Sequence, residues 1–319
     1  MTNGPKTIWL LTDGKAGDLA QCQGVAAYFP QSTVEERTVK PTGITTLPIP
    51  GIRVPIRDKP TTPGSPIAPP FPDLVIATGR RVLPYLHSLQ KASPQTKSVF
   101  LKNPRRMGGH VADLIWAPTH DRMSKRGWKV IETDTSPHRF TPDALAQGAR
   151  SAVQRFQIAN PPVISIFLGG DSKAVRWTDE AINRFCLCLS SLPKDSTVLV
   201  TPSRRTPEKL LAASKRALAE YNAWFWDETG NNPYLEMMAI ADQIIVTGDS
   251  HNMVSEALAS GAGVHVFRPP DLKPKLHQFL DTMTHRGTIQ DFSKGFSAFR
   301  TKPIDATPEI AAAVQALFD

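Results

Sequence analysis

The second half of the chain reads as a regular alternation of short apolar runs and amphipathic stretches. Residues 163–168 form a β-branched apolar run that stops at Gly169-Gly170, and residues 178–190 follow with helical periodicity. The same pattern predicts strands at 198–200, 224–226, 243–246 and 264–267, with helices at 208–219, 233–240 and 252–260 between and around them. Short apolar strands separated by helices indicate βαβ units feeding a parallel sheet that is covered on both faces. The first half repeats the theme less regularly. Strands are predicted at 7–11, 33–39, 74–77, 98–101, 113–116 and 129–131, and helices near 19–28, 82–89 and 142–156. A terminal helix near 308–317 is placed to cross back onto the first half.

The 319 residues exceed the usual size of one hydrophobic core, so two Rossmann-like domains are expected, 1–158 and 159–319, joined at Ala159-Asn160-Pro161-Pro162. Residues 41–72 hold ten prolines. Such a stretch can neither continue a helix nor pair inside a sheet, and it reads as a long mobile loop.

Composition is that of an ordinary globular protein, 40% apolar and 21% charged. No apolar run approaches the roughly 18–20 residues that cross a bilayer, and the first residues lack a secretory pattern. Cys22, Cys186 and Cys188 fit no common zinc or redox spacing and read as reduced core thiols, which points to the cytoplasm. Charge is unevenly divided. Residues 1–150 carry 20 Lys and Arg against 11 Asp and Glu, whereas the remainder carries 17 against 18. A one-sided basic surface suits an anionic partner such as phosphate, acidic lipid (including the inner face of a membrane) or nucleic acid; a solvated face that maintains solubility is the alternative. No nucleic-acid partner is expected.

Ligands of open parallel sheets bind beyond the carboxyl ends of the strands, so the residues there are the candidates. After the first strand comes Asp13-Gly14-Lys15-Ala16-Gly17-Asp18, where glycines and helix-start amides suit an anion and either aspartate could serve as a base. The alternative is a polar turn with an aspartate cap. Gly79-Arg80-Arg81, Arg105 and His120-Asp121 follow later strands of the first half and bring basic and titratable groups to the same edge. In the second half, Gly169-Gly170-Asp171-Ser172-Lys173 forms a turn that could take a diphosphate. Ser203-Arg204-Arg205 offers guanidinium forks for phosphate oxygens. Asn232 and Tyr234 follow, and then Asp249-Ser250 opens a helix carrying Met253, Ser255 and Glu256. A free helix N-terminus attracts an anion, and Glu256 lies where a carboxylate could accept both hydroxyls of a ribose. No Asp-x-Asp stands in a strand–turn context and no His/Cys cluster has metal spacing, so neither a metal nor another cofactor is expected.

The strings Asp13-Gly-Lys-Ala-Gly17, Thr78-Gly-Arg-Arg81, Phe167-Leu-Gly-Gly-Asp-Ser-Lys173, Thr201-Pro-Ser-Arg-Arg-Thr-Pro207, Asn232-Pro-Tyr234, Val246-Thr-Gly-Asp-Ser250 and Met253-Val-Ser-Glu-Ala257 run in order along nearly the whole chain. Together they resemble the Elm-type mitochondrial-fission family, whose bacterial members are labelled epimerase-like or glycosyltransferase-like. Two positions depart from the family pattern. Asp18 stands where a histidine usually follows the first glycine loop, and Gly261-Ala-Gly-Val264 replaces a usual Gly-Lys-Pro-Val. The resemblance implies a GT-B-like α/β fold, with two parallel sheets facing a central cleft. It further implies a metal-independent glycosyltransferase that moves a sugar from a nucleotide donor to a cell-envelope or lipid-linked acceptor. Gly169, Gly170, Ser172, Lys173, Ser203, Arg204, Arg205, Asn232, Tyr234, Asp249, Ser250, Met253, Ser255 and Glu256 would hold the donor, and Asp13 or Asp18 would deprotonate the acceptor. Gly14, Lys15, Gly17, Gly79, Arg80, Arg81, Arg105 and His120 would meet the anionic acceptor. A nucleotide-sugar epimerase and a non-catalytic membrane or protein adaptor on the same fold are the alternatives.

Overall fold

A computed structural model of the chain describes residues 4–47, 51–123, 127–156, 158, 161–172 and 175–319. Lys173, Lys125, Arg126 and the Ala159-Asn160 pair of the expected linker lie outside the described residues.

The chain forms two compact units. One comprises residues 1–139 with 306–319, the other residues 140–305. The division therefore falls before the helix of residues 142–156 rather than after it, because that helix packs on a second-half helix, with Arg155 paired to Glu236 at 3.4 Å. The last helix, Thr307–Gln315, belongs to the first unit, where the Thr307 hydroxyl accepts from the His138 backbone amide.

The first unit holds a six-stranded parallel sheet in the order β2-β1-β3-β4-β5-β6. Its strands are β1 (Thr7–Thr12), β2 (Thr33–Thr38), β3 (Leu74–Ala77), β4 (Lys97–Phe100), β5 (Leu114–Pro118) and β6 (Val130–Thr133). The central strands β3 and β5 are almost wholly apolar and buried, whereas β2, an edge strand of Thr-Val-Glu-Glu-Arg-Thr, is exposed. Helix α1 spans Ala16–Ala26 and α2 spans Leu83–Ala92. The helix expected from residue 19 thus begins three residues earlier, which places Gly17 and Asp18 in its first turn. A carboxylate there is favoured by the helix dipole.

The proline-rich segment is packed, contrary to the mobile loop expected of it. Val54 and Ile67 are buried against the same core as Leu86 and Leu89 of α2, and the Tyr85 hydroxyl donates to Asp58 at 2.7 Å. Prolines limit the segment to the short 3-10 helices Gly43–Thr46 and Ile56–Asp58 but do not prevent burial, and two apolar anchors with one buried hydrogen bond hold it on the helix.

The second unit begins with α3 (Pro142–Phe156) and contains a parallel sheet in the order β12-β11-β10-β7-β8-β9. The strands are β7 (Val163–Leu168), β8 (Thr197–Pro202), β9 (Asn222–Phe225), β10 (Gln243–Thr247), β11 (Gly263–Phe267) and β12 (Ile289–Asp291). Every residue of β7, β8, β10 and β11 is buried, as expected where helices cover both faces. The covering helices are α4 (Asp179–Leu189), α5 (Glu208–Ala217), α6 (Tyr234–Ile240), α7 (His251–Ala259) and α8 (Pro274–His285), while α9 is the terminal helix Thr307–Gln315. Strand β7 lies centrally, with β8 and β9 on one side and β10, β11 and β12 on the other. The chain thus reverses direction across the sheet between β7 and β10, and a crevice is expected at that switch point.

Candidate functional site

The carboxyl edge of the second sheet carries most of the candidate donor residues. Leaving β8, the chain turns through Ser203, Arg204 and Arg205; leaving β9 it reaches Asn232 and Tyr234; leaving β10 it enters α7. These segments enclose a pocket of about 320 Å³ lined by Ser203, Arg204, Asn232, Tyr234, Met253 and Glu256, with Phe167 and Trp226 as aromatic walls. That volume lies at the lower end of the ~300–1,000 Å³ of small-molecule sites.

Within the pocket, Glu256 accepts a hydrogen bond from the Tyr234 hydroxyl at 2.8 Å. The Tyr234 ring is in turn held against Phe167 and Phe140, with centroids 4.5 and 5.7 Å away. Asn232 accepts from the Tyr234 backbone amide at 2.9 Å, a local turn that leads into α6. Arg204 is exposed at the pocket wall, with no hydrogen bond or ion pair among the described residues. Its guanidinium is available to an anionic ligand.

The switch point between β7 and β10 is organised differently from the expectation. The Asp249 carboxylate is buried there. It accepts from the Gly170 amide at 3.1 Å and from the Thr247 hydroxyl at 2.6 Å, while the Gly169 amide donates to the Thr247 hydroxyl at 2.7 Å. Both amides of the glycine turn are therefore committed within the protein and are not presented to a diphosphate. The glycines are required for packing: a Cβ at Gly169 would overlap the Asp249 carboxylate, and one at Gly170 would overlap the Arg205 backbone. Arg205 faces the same network. Its guanidinium donates to the Asp171 carbonyl at 3.3 Å and lies 3.6 Å from Asp249. Burial pushes the Asp249 carboxyl above the ordinary carboxylate range; the Thr247 and Gly170 hydrogen bonds and the Arg205 charge oppose the shift. Asp249 and Arg205 are thus internal braces of the pocket rather than its lining.

Two other expected donor residues are turned inward. The Ser250 side chain caps α7 by accepting from Met253 N, and Ser255 donates back to the His251 carbonyl at 2.9 Å inside the helix. Ser172 sits in the turn after β7, its amide bonded to the Val175 carbonyl at 2.9 Å. Trp226, Phe167 and Thr201 line the pocket and are not among the candidate donor residues read from the sequence. Their signal was available: each stands at or just beyond the carboxyl end of its strand.

The first unit has its own switch point, between β1 and β3. Asp13 and Asp18 meet there beside Gly79: a Cβ built on that glycine would lie 3.3 Å from Asp18 Oδ2 and 3.4 Å from Asp13 Oδ1. Gly79 adopts φ +91°, which a side chain disfavours. Lys15 pairs with Asp13, and Lys102 with Asp18 at 3.0 Å. The remaining oxygens, Asp13 Oδ1 and Asp18 Oδ2, are buried without a hydrogen-bond partner among the described residues. The turn of Gly14, Lys15 and Gly17 is therefore governed by two buried carboxylates, which disfavours the anion expected at it. It offers instead acceptors for a hydroxyl. The cationic groups lie beyond it. Arg80 is half-buried, and burial together with the nearby Arg105 charge pushes its guanidinium down, while Asp121 and Asp18 act in the opposite sense. Arg105 itself is held at φ +53°, an uncommon left-handed position for a non-glycine residue. Arg81 is exposed, and His120 lies half-buried in the short turn Thr119–Asp121 after β5.

Among the described residues no group of three or more His, Cys, Asp or Glu side chains could hold a metal ion, and no helix is long and apolar enough to cross a membrane.

Two Rossmann-like units, each with a parallel sheet and a polar carboxyl edge, define a GT-B-like α/β protein. A UDP-GlcNAc 2-epimerase from Neisseria meningitidis bound to UDP-GlcNAc matches 98% of this chain and 100% of its own, at 12% identity and a TM-score of 0.55. A UDP-glucosyltransferase from Polygonum tinctorium matches 100% of this chain and 90% of its own, at 10% identity and a TM-score of 0.51. At such identities the likeness is one of fold. The chain belongs to the family described as Mitochondrial fission ELM1, whose model matches residues 16–318. The mitochondrial fission protein ELM1 of Arabidopsis thaliana is 24% identical over 279 residues, a match to 76% of this chain and 63% of the plant protein. The chain thus spans less than two thirds of that relative's length.

Proposed function

We propose that the chain is a metal-independent glycosyltransferase that binds a nucleotide sugar in the second-unit pocket and acts on a cell-envelope or lipid-linked acceptor. The observation that carries this reading is the convergence of Arg204, Glu256 and Tyr234 on one enclosed pocket at the carboxyl edge of a doubly wound sheet. Arg204 would pair with the diphosphate, and Glu256, held by Tyr234, would accept the ribose hydroxyls. The base would lie against Trp226 and Asn232. The N-terminus of α7 would favour negative charge on the departing diphosphate. In the first unit, Asp13 Oδ1 or Asp18 Oδ2 would accept the acceptor hydroxyl's proton, and Arg80 and Arg105 would meet its anionic group. One solved neighbour of the same fold class is described bound to UDP-GlcNAc and another is described as a UDP-glucosyltransferase, which supports a UDP-sugar as the first donor to test.

A non-catalytic adaptor is favoured by one specific observation: the plant relative is named for mitochondrial fission. An epimerase would use the same pocket without an acceptor and would yield an isomer from the nucleotide sugar alone. Thermal unfolding in the presence of UDP-, GDP- and CMP-sugars separates these readings. A midpoint raised by one of them, and unchanged in Arg204→Ala and Glu256→Gln, supports the donor site, because only ligand bound to the native state stabilises it. A folded protein that shifts with none of them overturns the donor site and leaves the adaptor.

A further inference from the structure

A second cavity lies in the first unit, between the proline-rich segment and helix α2, and Asp13, Gly79 and Arg80 are not among its lining residues. It encloses about 400 Å³ and is lined by Arg53 and Lys59 from the segment and by His87 and Lys91 from the helix. Val54, Pro60 and Pro84 supply apolar surface. Helix periodicity sets one side of it: Pro84, His87, Ser88 and Lys91 recur at three- and four-residue spacing and so share one face of α2.

The charge balance is strongly one-sided. Residues 51–72 and α2 together contain four fixed cations, Arg53, Arg57, Lys59 and Lys91, and one carboxylate, Asp58. Asp58 does not serve the cavity. It is buried beneath the segment, where it accepts from Tyr85 at 2.7 Å and lies 3.7 Å from Arg57. Arg53, Lys59 and Lys91 make no ion pair or side-chain hydrogen bond among the described residues. His87 reports the resulting field: burial lowers its affinity for a proton, and Lys91 and His110 lower it further, with no acidic group acting against them.

We propose that this cavity binds an organic phosphate monoester whose apolar body rests on Pro84, Val54 and Pro60 while its phosphate is held by Arg53, Lys59 and Lys91. A phosphate monoester carries ≈ −1.5 to −2 charge near neutral pH, which matches several cations better than a carboxylate does. Guanidinium suits its oxygens in a fixed fork, with lysines as additional point charges. The cavity has room for about a dozen waters at ≈ 30 Å³ each, far more than a bare phosphate needs, and the remainder is bordered by proline and valine. The ester could be a soluble metabolite or the exposed head of a phosphorylated lipid, since both present the same group.

Calorimetric titration of the full chain with phenyl phosphate, inorganic phosphate and phenol tests the proposal. Sedimentation with phosphatidylcholine vesicles, with and without phosphatidic acid, tests the lipid source. Phenyl phosphate should bind roughly tenfold more tightly than inorganic phosphate or phenol, and Lys91→Glu or Arg53→Glu should weaken it by roughly tenfold or more. Both positions are exposed, and Arg53→Glu leaves α2 untouched, so one variant controls for folding in the other. Binding only to vesicles that contain phosphatidic acid, abolished by the same substitutions, assigns the lipid source. No binding in either arm overturns the proposal, as does binding that ignores both substitutions or an equal affinity for inorganic phosphate. A nucleotide-sugar midpoint shift that persists in Lys91→Glu keeps this outcome separate from the second-unit pocket.

Discussion

Replacing Asp249 by alanine tests whether the switch point of the second unit is an internal brace. The side chain has no solvent exposure and satisfies the Gly170 amide and the Thr247 hydroxyl at once. Truncation leaves both donors facing a cavity. A buried donor stripped of its acceptor costs about 1–3 kcal/mol. The Arg205 pair adds little, because its side chain is 45% exposed and can rehydrate. The expected loss is therefore about 2–4 kcal/mol, the sum reduced by the discharge of an unfavourably buried carboxylate. For a unit the size of residues 140–305, this corresponds to a midpoint lowered by roughly 5–15 °C. Urea unfolding followed by circular dichroism, with calorimetry to resolve the two units, measures it. Asp249→Asn retains the shape and one acceptor and should fall between the native protein and the alanine variant. An alanine variant within about 0.5 kcal/mol of native would refute the brace.

Gly169→Ala should destabilise the same unit by about 1–3 kcal/mol, because its methyl displaces a carboxylate; Gly170→Ala should cost more, because the obstacle is the Arg205 backbone. Tyr85→Phe should cost about 1–3 kcal/mol in the first unit by leaving buried Asp58 without its hydroxyl donor, and should loosen the proline-rich segment to limited proteolysis. His265 is buried beside Phe296 and Phe292, and burial pushes its imidazole down to about 4. The unfolded chain, titrating near the ordinary ~6.5, then binds more protons below that pH than the folded one does. This contribution is complete above about pH 6.5 and is lost as pH falls towards 4, at most about 3 kcal/mol. His265→Gln should flatten that part of the stability–pH curve, measured by urea unfolding at successive pH values.

The sheets were legible because buried parallel strands leave short β-branched runs: residues 74–77 and 163–168 coincide with β3 and β7. Strand β9 was displaced by two residues, since Asn222-Ala223-Trp224-Phe225 is half-exposed and carries a weak signal. Helix α8 is not among the expected elements although its pattern is legible: Leu276, Phe279, Leu280 and Met283 repeat at helical spacing behind Pro274. β12, with three residues, has too little pattern to detect. Glycine at a strand end announces close approach without naming the neighbour. At Gly169 the neighbour is Asp249, 80 residues onward, and no local spacing encodes that pairing. Adjacent arginines pose the same difficulty: Arg204 lines the pocket while Arg205 lies 3.6 Å from Asp249, and the two sit at the centre of a turn whose geometry composition does not encode. The proline-rich segment misled for a related reason. Proline content reports the absence of regular hydrogen bonding, whereas burial of Val54 and Ile67 depends on α2.

Trp226 offers the most direct test of the donor site, because it lines the pocket itself. Titration of intrinsic fluorescence with UDP-, GDP- and CMP-sugars, in the native protein and in Trp226→Phe, reports both binding and its place. A saturable change with one donor that is lost in Trp226→Phe and weakened in Arg204→Ala is the expected result. A nucleotide sugar that binds with its fluorescence change intact in Trp226→Phe, or a folded protein that binds none, would contradict the second-unit pocket as the donor site.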